Sequence, residues 1–123
     1  MYRIEFEDGH KLFHLTVEGY WTIDDFKAFE ADAVPTVEKL VRRWGSFRYL
    51  SDARRYPVQS PEVGLAFKGY GDWVGKANKG PVALIAGSVL NKLQAERVFQ
   101  APRVRIFMDL TDARKWLLEW PLP

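Results

Sequence analysis

The chain contains no cysteine, which excludes a disulfide framework and any thiolate-held metal site. Its only histidines are His10 and His14. They fall in a turn and on the polar side of a strand, a poor basis for zinc, and no metal or cofactor is expected. No apolar run approaches the roughly 18 to 20 residues of a membrane span, so no membrane insertion is expected. The opening MYRIEFEDGHK lacks the basic head and apolar run of a signal peptide. These absences together point to a soluble, cytoplasmic protein. A net charge of +2 is too small to imply nucleic acid. No glycine-rich phosphate loop and no G-x-S-x-G is present.

What is present is the composition of a folded protein. Apolar residues make up 47% and charged residues 28% of the 123 positions, values of a globular chain and not a disordered one. The length suits one domain, residues 1–123, with a core that needs no staple.

The pattern along the chain alternates strands and helices. YRIEF and LFHLTVEG flank DGHK, where Asp8-Gly9 offers the φ > 0 position of a tight hairpin. Thr22 reads as the N-cap of a helix from Ile23 to Trp44, with Asp24 and Asp25 near its positive end and Gly45 after it. Pro35 is expected to kink or divide that helix. FRYLSD is the third strand. Ser60-Pro61-Glu62 opens a second helix. This helix carries Gly64, Gly69, Gly71 and Gly75, each costing about 1 kcal/mol against alanine, so it should be the weakest. PVALIAG is a fourth strand, SVLNKLQAERVFQ a third helix, and VRIFMD a fifth strand. A last helix, capped by Thr111 or Asp112, ends near Trp120.

The order ββαβαβαβα implies right-handed crossovers and a mixed five-stranded sheet whose first strand alone is antiparallel. Phe13, Leu15 and Val17 alternate with His14, Thr16 and Glu18, and Arg105 interrupts Val104 and Ile106. That alternation predicts helices mainly on one face and a second face left partly wet.

Four segments then resemble the SpoIIAA-like group, relatives of the STAS domains of anti-sigma-factor antagonists and anion transporters. They are GYWTIDDF (Gly19–Phe26), FRYLSDAR (Phe47–Arg54), PVALIAG (Pro81–Gly87) and VRIFMDLTDARKWL (Val104–Leu117). The resemblance implies an open right-handed βα superhelix. It also implies a regulatory or binding role in place of catalysis, through a protein partner or a small, possibly apolar ligand. A lipid-transfer family shares that layout, an analogy of fold alone. STAS antagonists carry a phosphorylated serine where the third strand meets the second helix, in a motif resembling Asp-Ser-Ser/Thr-Gly. Here that connection reads ARRYPVQSPEVG, so Ser60 matches in topology and not in motif. It reads first as an N-cap.

Two regions are candidate sites. The C-terminal ends of the parallel strands, where open α/β sheets gather ligands, bring together Tyr20, Trp21, Arg54, Arg55, Ser60, Gly87, Ser88 and Asp109. They form either an anion- or nucleotide-binding edge or a set of solvated charges and packing aromatics. A hydrolase would need His14 beside Ser60 or Ser88. Arg42 and Arg43 precede the third strand and Arg54 and Arg55 follow it, about 20 Å away, so they make no single basic patch. The second region is the glycine-spaced helix with Phe67, Tyr70 and Trp73. It reads as core packing, as the wall of an apolar pocket, or as a homodimer contact around Tyr70 and Trp73.

Overall fold

The computed structural model describes residues 1–123. Tyr2–Glu7 (β1) and Leu12–Glu18 (β2) form an antiparallel hairpin with Ile4 opposite Leu15. Its turn differs from the expected one. Asp8–His10 make a short 3-10 turn, and Lys11 takes the left-handed position at φ 48° and ψ 53°. The 3-10 turn absorbs Asp8 and Gly9 in right-handed geometry, so the reversal passes to Lys11, whose N–H donates to the Asp8 carbonyl at 3.1 Å.

The chain continues through Ile23–Trp44 (α1), Arg48–Arg55 (β3), Pro61–Ala77 (α2), Val82–Ala86 (β4), Val89–Val98 (α3), Val104–Phe107 (β5) and Leu110–Glu119 (α4). The sheet order is β1-β2-β3-β4-β5, with β1 antiparallel and the other strands parallel. Thr22 and Asp25 exchange side-chain and backbone hydrogen bonds at 3.2 and 2.8 Å, a complete capping box at the start of α1. Gly45 closes the helix at φ 80°. Pro35 does not divide α1. Phe26, Phe29, Ala33, Val37 and Leu40 are buried on both sides of it, so packing holds one helix across the missing N–H. At α4 the cap is Asp109, whose carboxylate accepts from the N–H groups of Thr111 and Asp112. Thr111 and Asp112, the caps expected from sequence, therefore lie in the first turn.

Strand alternation sorts the core into two clusters. Phe13, Leu15, Val17 and Tyr49 point to one face and pack against α1 and α2. Phe99, at the end of α3, reaches the same side against Gly71 of α2, where an added Cβ would meet its ring at 2.9 Å. Leu12, Leu50, Ala83 and Ile85 point to the opposite face and are covered by Ala113 and Leu117 of α4. Three helices thus cover one face and α4 covers part of the other. The uncovered part carries Arg3, Glu5, His14, Thr16 and Asp52, in register across β1 to β3. It is the wet half of the second face.

Four polar side chains fix how these parts meet. Asn78, 1% exposed, accepts from the N–H groups of Phe47 and Gly80 and donates to the Phe47 carbonyl at 2.9 Å. Arg103 donates to the carbonyls of Gly75, Asn78 and Gly80. Arg48 donates to the carbonyls of Leu117, Trp120 and His10, tying the end of α4 to the β1–β2 turn. Arg114 of α4 forms a two-pronged ion pair with Glu7 of β1, and that guanidinium holds the Glu7 carboxyl below the usual carboxylate range. Replacing Asn78 by Ala leaves the buried Phe47 backbone groups without partners. Asn78→Ala should lower the unfolding free energy by about 1–3 kcal/mol, measured by urea titration with an unchanged m-value.

Candidate functional site

Two places collect the sequence-selected residues: the C-terminal ends of the strands, and the seam between α1 and α2. At the strand ends the chain engages most of its candidates internally. Trp21 is 2% exposed, its indole N–H donates to the Glu18 carbonyl at 2.9 Å, and its ring packs on Phe29, Tyr56 and Phe67. It is a core residue. Tyr20, the preceding aromatic, is 65% exposed. Arg54 closes a two-pronged pair with Asp52 at 2.7 and 3.0 Å, which raises its own pKa. Arg55 ends β3 as an exposed side chain, with its carbonyl accepting from Gly19 N–H at 3.0 Å.

Ser60 and Ser88 both cap helices. The Ser60 hydroxyl accepts from Val63 N–H at 3.3 Å, and that of Ser88 from Asn91 N–H at 3.1 Å. Gly87 passes so close to the Arg54 carbonyl that a Cβ would sit 2.3 Å from its oxygen, which explains glycine at that position. A residue that sequence reasoning did not select, Gln59, stitches this edge together. Its amide donates to the Gly19 and Pro57 carbonyls and accepts from Trp21 N–H at 2.7 Å. No local pattern marks this role, because Gly19 and Trp21 stand about forty positions away.

His14 sits mid-strand on the second face, whereas Ser60 and Ser88 start helices of the first face. The structure does not bring them together as a nucleophile and base. His14 is half-buried and its Nε2 has no hydrogen-bond partner. Burial pushes its pKa below the ordinary imidazole value, against the opposing pull of Glu5, Asp52 and Glu7. No group of three or more histidine and acidic side chains is gathered for a metal.

The α1–α2 seam is open. A groove of about 580 Å³ runs between the helices, lined mainly by hydrophobic side chains. Ile23, Phe26 and Val34 form its α1 wall, and Leu65, Ala66 and Trp73 its α2 wall. Gly69 forms part of the lining, and a Cβ there would meet only open space. Lys27 and Glu30, both exposed, supply one charge of each sign at the rim. Tyr70 presents its ring to the groove while its hydroxyl pairs with Tyr49 at 2.7 Å in the core, and burial raises its pKa. Phe67 lies behind the groove, stacked on Phe29 with centroids 5.2 Å apart. Of the three residues singled out on this helix, Tyr70 and Trp73 line the groove and Phe67 belongs to the aromatic core. The α1 wall was missed, although Ile23 and Phe26 showed helical spacing, because one helix's pattern does not reveal where its neighbour stops covering it.

A crystal structure of an uncharacterised DUF3478 protein from Shewanella loihica PV-4, described as having a SpoIIAA-like fold, matches this architecture. The TM-score is 0.70 at 21% sequence identity, over 95% of this chain and 92% of that one. The fold is SpoIIAA-like. No protein-family model and no curated protein matches the sequence. No helix of this SpoIIAA-like chain is long and apolar enough to cross a membrane.

Two outcomes follow from these geometries. Ser60→Ala should cost about 1 kcal/mol, and Ser60→Asp should be nearly neutral, since either oxygen accepts the helix N–H bond; denaturant unfolding measures both. Intact mass of protein from its native source should show no stoichiometric phosphate, and a substantial fraction modified at Ser60 would contradict the cap-only role. For His14 the folded pKa is depressed, so the stability that its neutral form permits is complete above the unfolded value near 6.5. That stability is lost as pH falls through about 6.5 toward the lower folded value. The melting temperature should therefore drop between about pH 7 and pH 5, and His14→Gln should remove part of that drop.

Proposed function

We propose that residues 1–123 form one SpoIIAA-like domain that works by binding and not by catalysis, and that the α1–α2 groove takes a small, largely apolar ligand. One observation carries this reading: a groove of about 580 Å³ with mainly hydrophobic walls falls within the roughly 300–1,000 Å³ typical of small-molecule sites. Gly69 supports it, because a side chain there would occupy the space and its absence weakens the helix. The opposite charges of Lys27 and Glu30 at the rim suit a ligand with an apolar body and a polar or zwitterionic end.

The alternative, a hydrolase or an anion or nucleotide site at the strand ends, draws less support. There Arg54 is engaged by Asp52, Trp21 is buried, and both serines are engaged as caps.

Native mass spectrometry of gently purified protein tests the proposal directly. The expected result is a co-purifying apolar or amphiphilic small molecule, or one acquired from an added mixture of fatty acids. Gly69→Leu should fill the groove, keep the fold with equal or higher thermal stability, and abolish that binding. Gly69→Ala, gaining about 1 kcal/mol in helix propensity, should retain it. A folded Gly69→Leu variant that binds as well as the wild type would remove the groove from the proposal.

A further inference from the structure

The first strand lies at an edge of the sheet, and its free side has a self-complementary pattern. Glu18 N–H donates to the Met1 carbonyl at 2.9 Å, and Met1 nitrogen donates to the Glu18 carbonyl at 3.0 Å. Met1 and Glu18 are thus a hydrogen-bonded pair of the antiparallel ladder. Such pairs alternate with non-bonded ones along the register. Arg3, Glu5 and Glu7 therefore turn their backbone groups toward Thr16, His14 and Leu12. Tyr2, Ile4 and Phe6 turn theirs outward, away from β2.

An outward row of N–H and C=O groups is a template for another strand. Natural edges are commonly blunted by proline, a bulge or charged side chains, and charges of a single sign repel a second copy of the same strand. β1 pairs with β2 without a bulge, contains no proline, and carries charges of both signs: Arg3 and Glu5 are exposed, and Glu7 is taken up by Arg114 of α4. Arg3 and Glu5, with side chains 69% and 54% exposed, pair within one strand at 3.0 Å. Phe6 is 48% exposed on the helix-covered face, with its ring edge-on to Phe13.

These features converge on one register. An antiparallel second β1, related by a two-fold axis through Ile4, sets Ile4 opposite Ile4, Tyr2 opposite Phe6, and Arg3 opposite Glu5. Each of the outward-turned residues then falls in a hydrogen-bonded pair. Each exposed charge meets its opposite, and the bare Phe6 ring meets Tyr2 of the other copy. Shifting the register by one residue in either direction would oppose Ile4 to a charged residue and bring outward-turned groups against inward-turned ones.

We infer that two copies of this chain pair through β1 in that register and continue the sheet across the dimer axis. This places self-association at the sheet edge, away from the α2 surface around Tyr70 and Trp73. It is independent of the groove and of what the groove holds.

Charge exchange tests it with variants altered only at exposed side chains. Arg3→Glu alone sets carboxylate against carboxylate across the axis, and Glu5→Arg alone sets guanidinium against guanidinium. Each should weaken association roughly tenfold or more, because two symmetry-related pairs change from opposite to like charge. An equimolar mixture of the two variants restores opposite charge at every position and should form a heterodimer. Sedimentation velocity over a concentration series reads all of this, and circular dichroism checks that each variant is folded. A second probe is Phe6→Pro, which removes an outward N–H and the exposed ring without touching the β1–β2 ladder, and it should also give a monomer. A wild type that stays monomeric at the highest attainable concentration overturns the inference. So do folded charge variants that dimerise as the wild type does, or a mixture no better than its components.

Discussion

A parallel strand can join its predecessor in the same sheet only by crossing over it, and the crossover is right-handed. With strand order running β1-β2-β3-β4-β5 without reversal, each crossover advances in the same direction. The connecting helices consequently fall on one face, and no doubling back places a helix on the other. The asymmetry of the molecule follows from that constraint. Phe13, Leu15, Val17 and Tyr49 find helices waiting, while Leu12, Leu50 and Ile85 depend on a helix that comes after the last strand. One short helix cannot cover five strands, so the β1–β2 end of its face stays polar. The groove has a related origin. It lies between α1 and α2, the two helices that pack on the same buried cluster, and side chains of sufficient size would be needed to fill it. Gly69 and Ala66 on α2 leave it unfilled.

The features legible in the sequence were those whose cause is local. Thr22, Ser60 and Gly45 each act through atoms within four residues, and each does what its position announces. Strand order and direction were also accessible, since the alternation of elements and the handedness of crossovers leave few alternatives. The errors occurred where a distant or competing partner decides. Gly9 looked like the left-handed residue, yet a 3-10 turn moved that role to Lys11. Thr111 and Asp112 looked like caps, but Asp109 stands just before them and satisfies both of their N–H groups. Pro35 was expected to kink or divide its helix, and the division did not occur, with a buried stripe on both sides of it.

The candidate sites were legible only in part for the same reason. Tyr20 and Trp21 are adjacent and chemically alike, but only three-dimensional packing tells that one is solvent-facing and the other enclosed by Phe29, Tyr56 and Phe67. Arg54 looked available as a free charge at the strand end, yet Asp52 shares its side of the strand and the pair closes. Tyr70 and Trp73, aromatic and glycine-flanked, line the groove, while Ile23, Phe26 and Val34 of α1 carry no mark in the sequence that separates groove lining from core.

Arg48 belongs to the middle strand of the sheet, yet it grips the carbonyls of Leu117 and Trp120 as well as that of His10. Arg114 likewise reaches Glu7 across 107 positions of sequence. Contacts of such separation close long loops, whose entropy must be lost before any reward is gained. The helix-covered core can assemble from neighbours in sequence, a hairpin and then one crossover after another. The opposite face has no such route. Leu50 and Ile85 are enclosed by Ala113 and Leu117 of α4, so the burial of that face depends on contacts of long sequence separation, while the helix-covered face draws on neighbours in sequence.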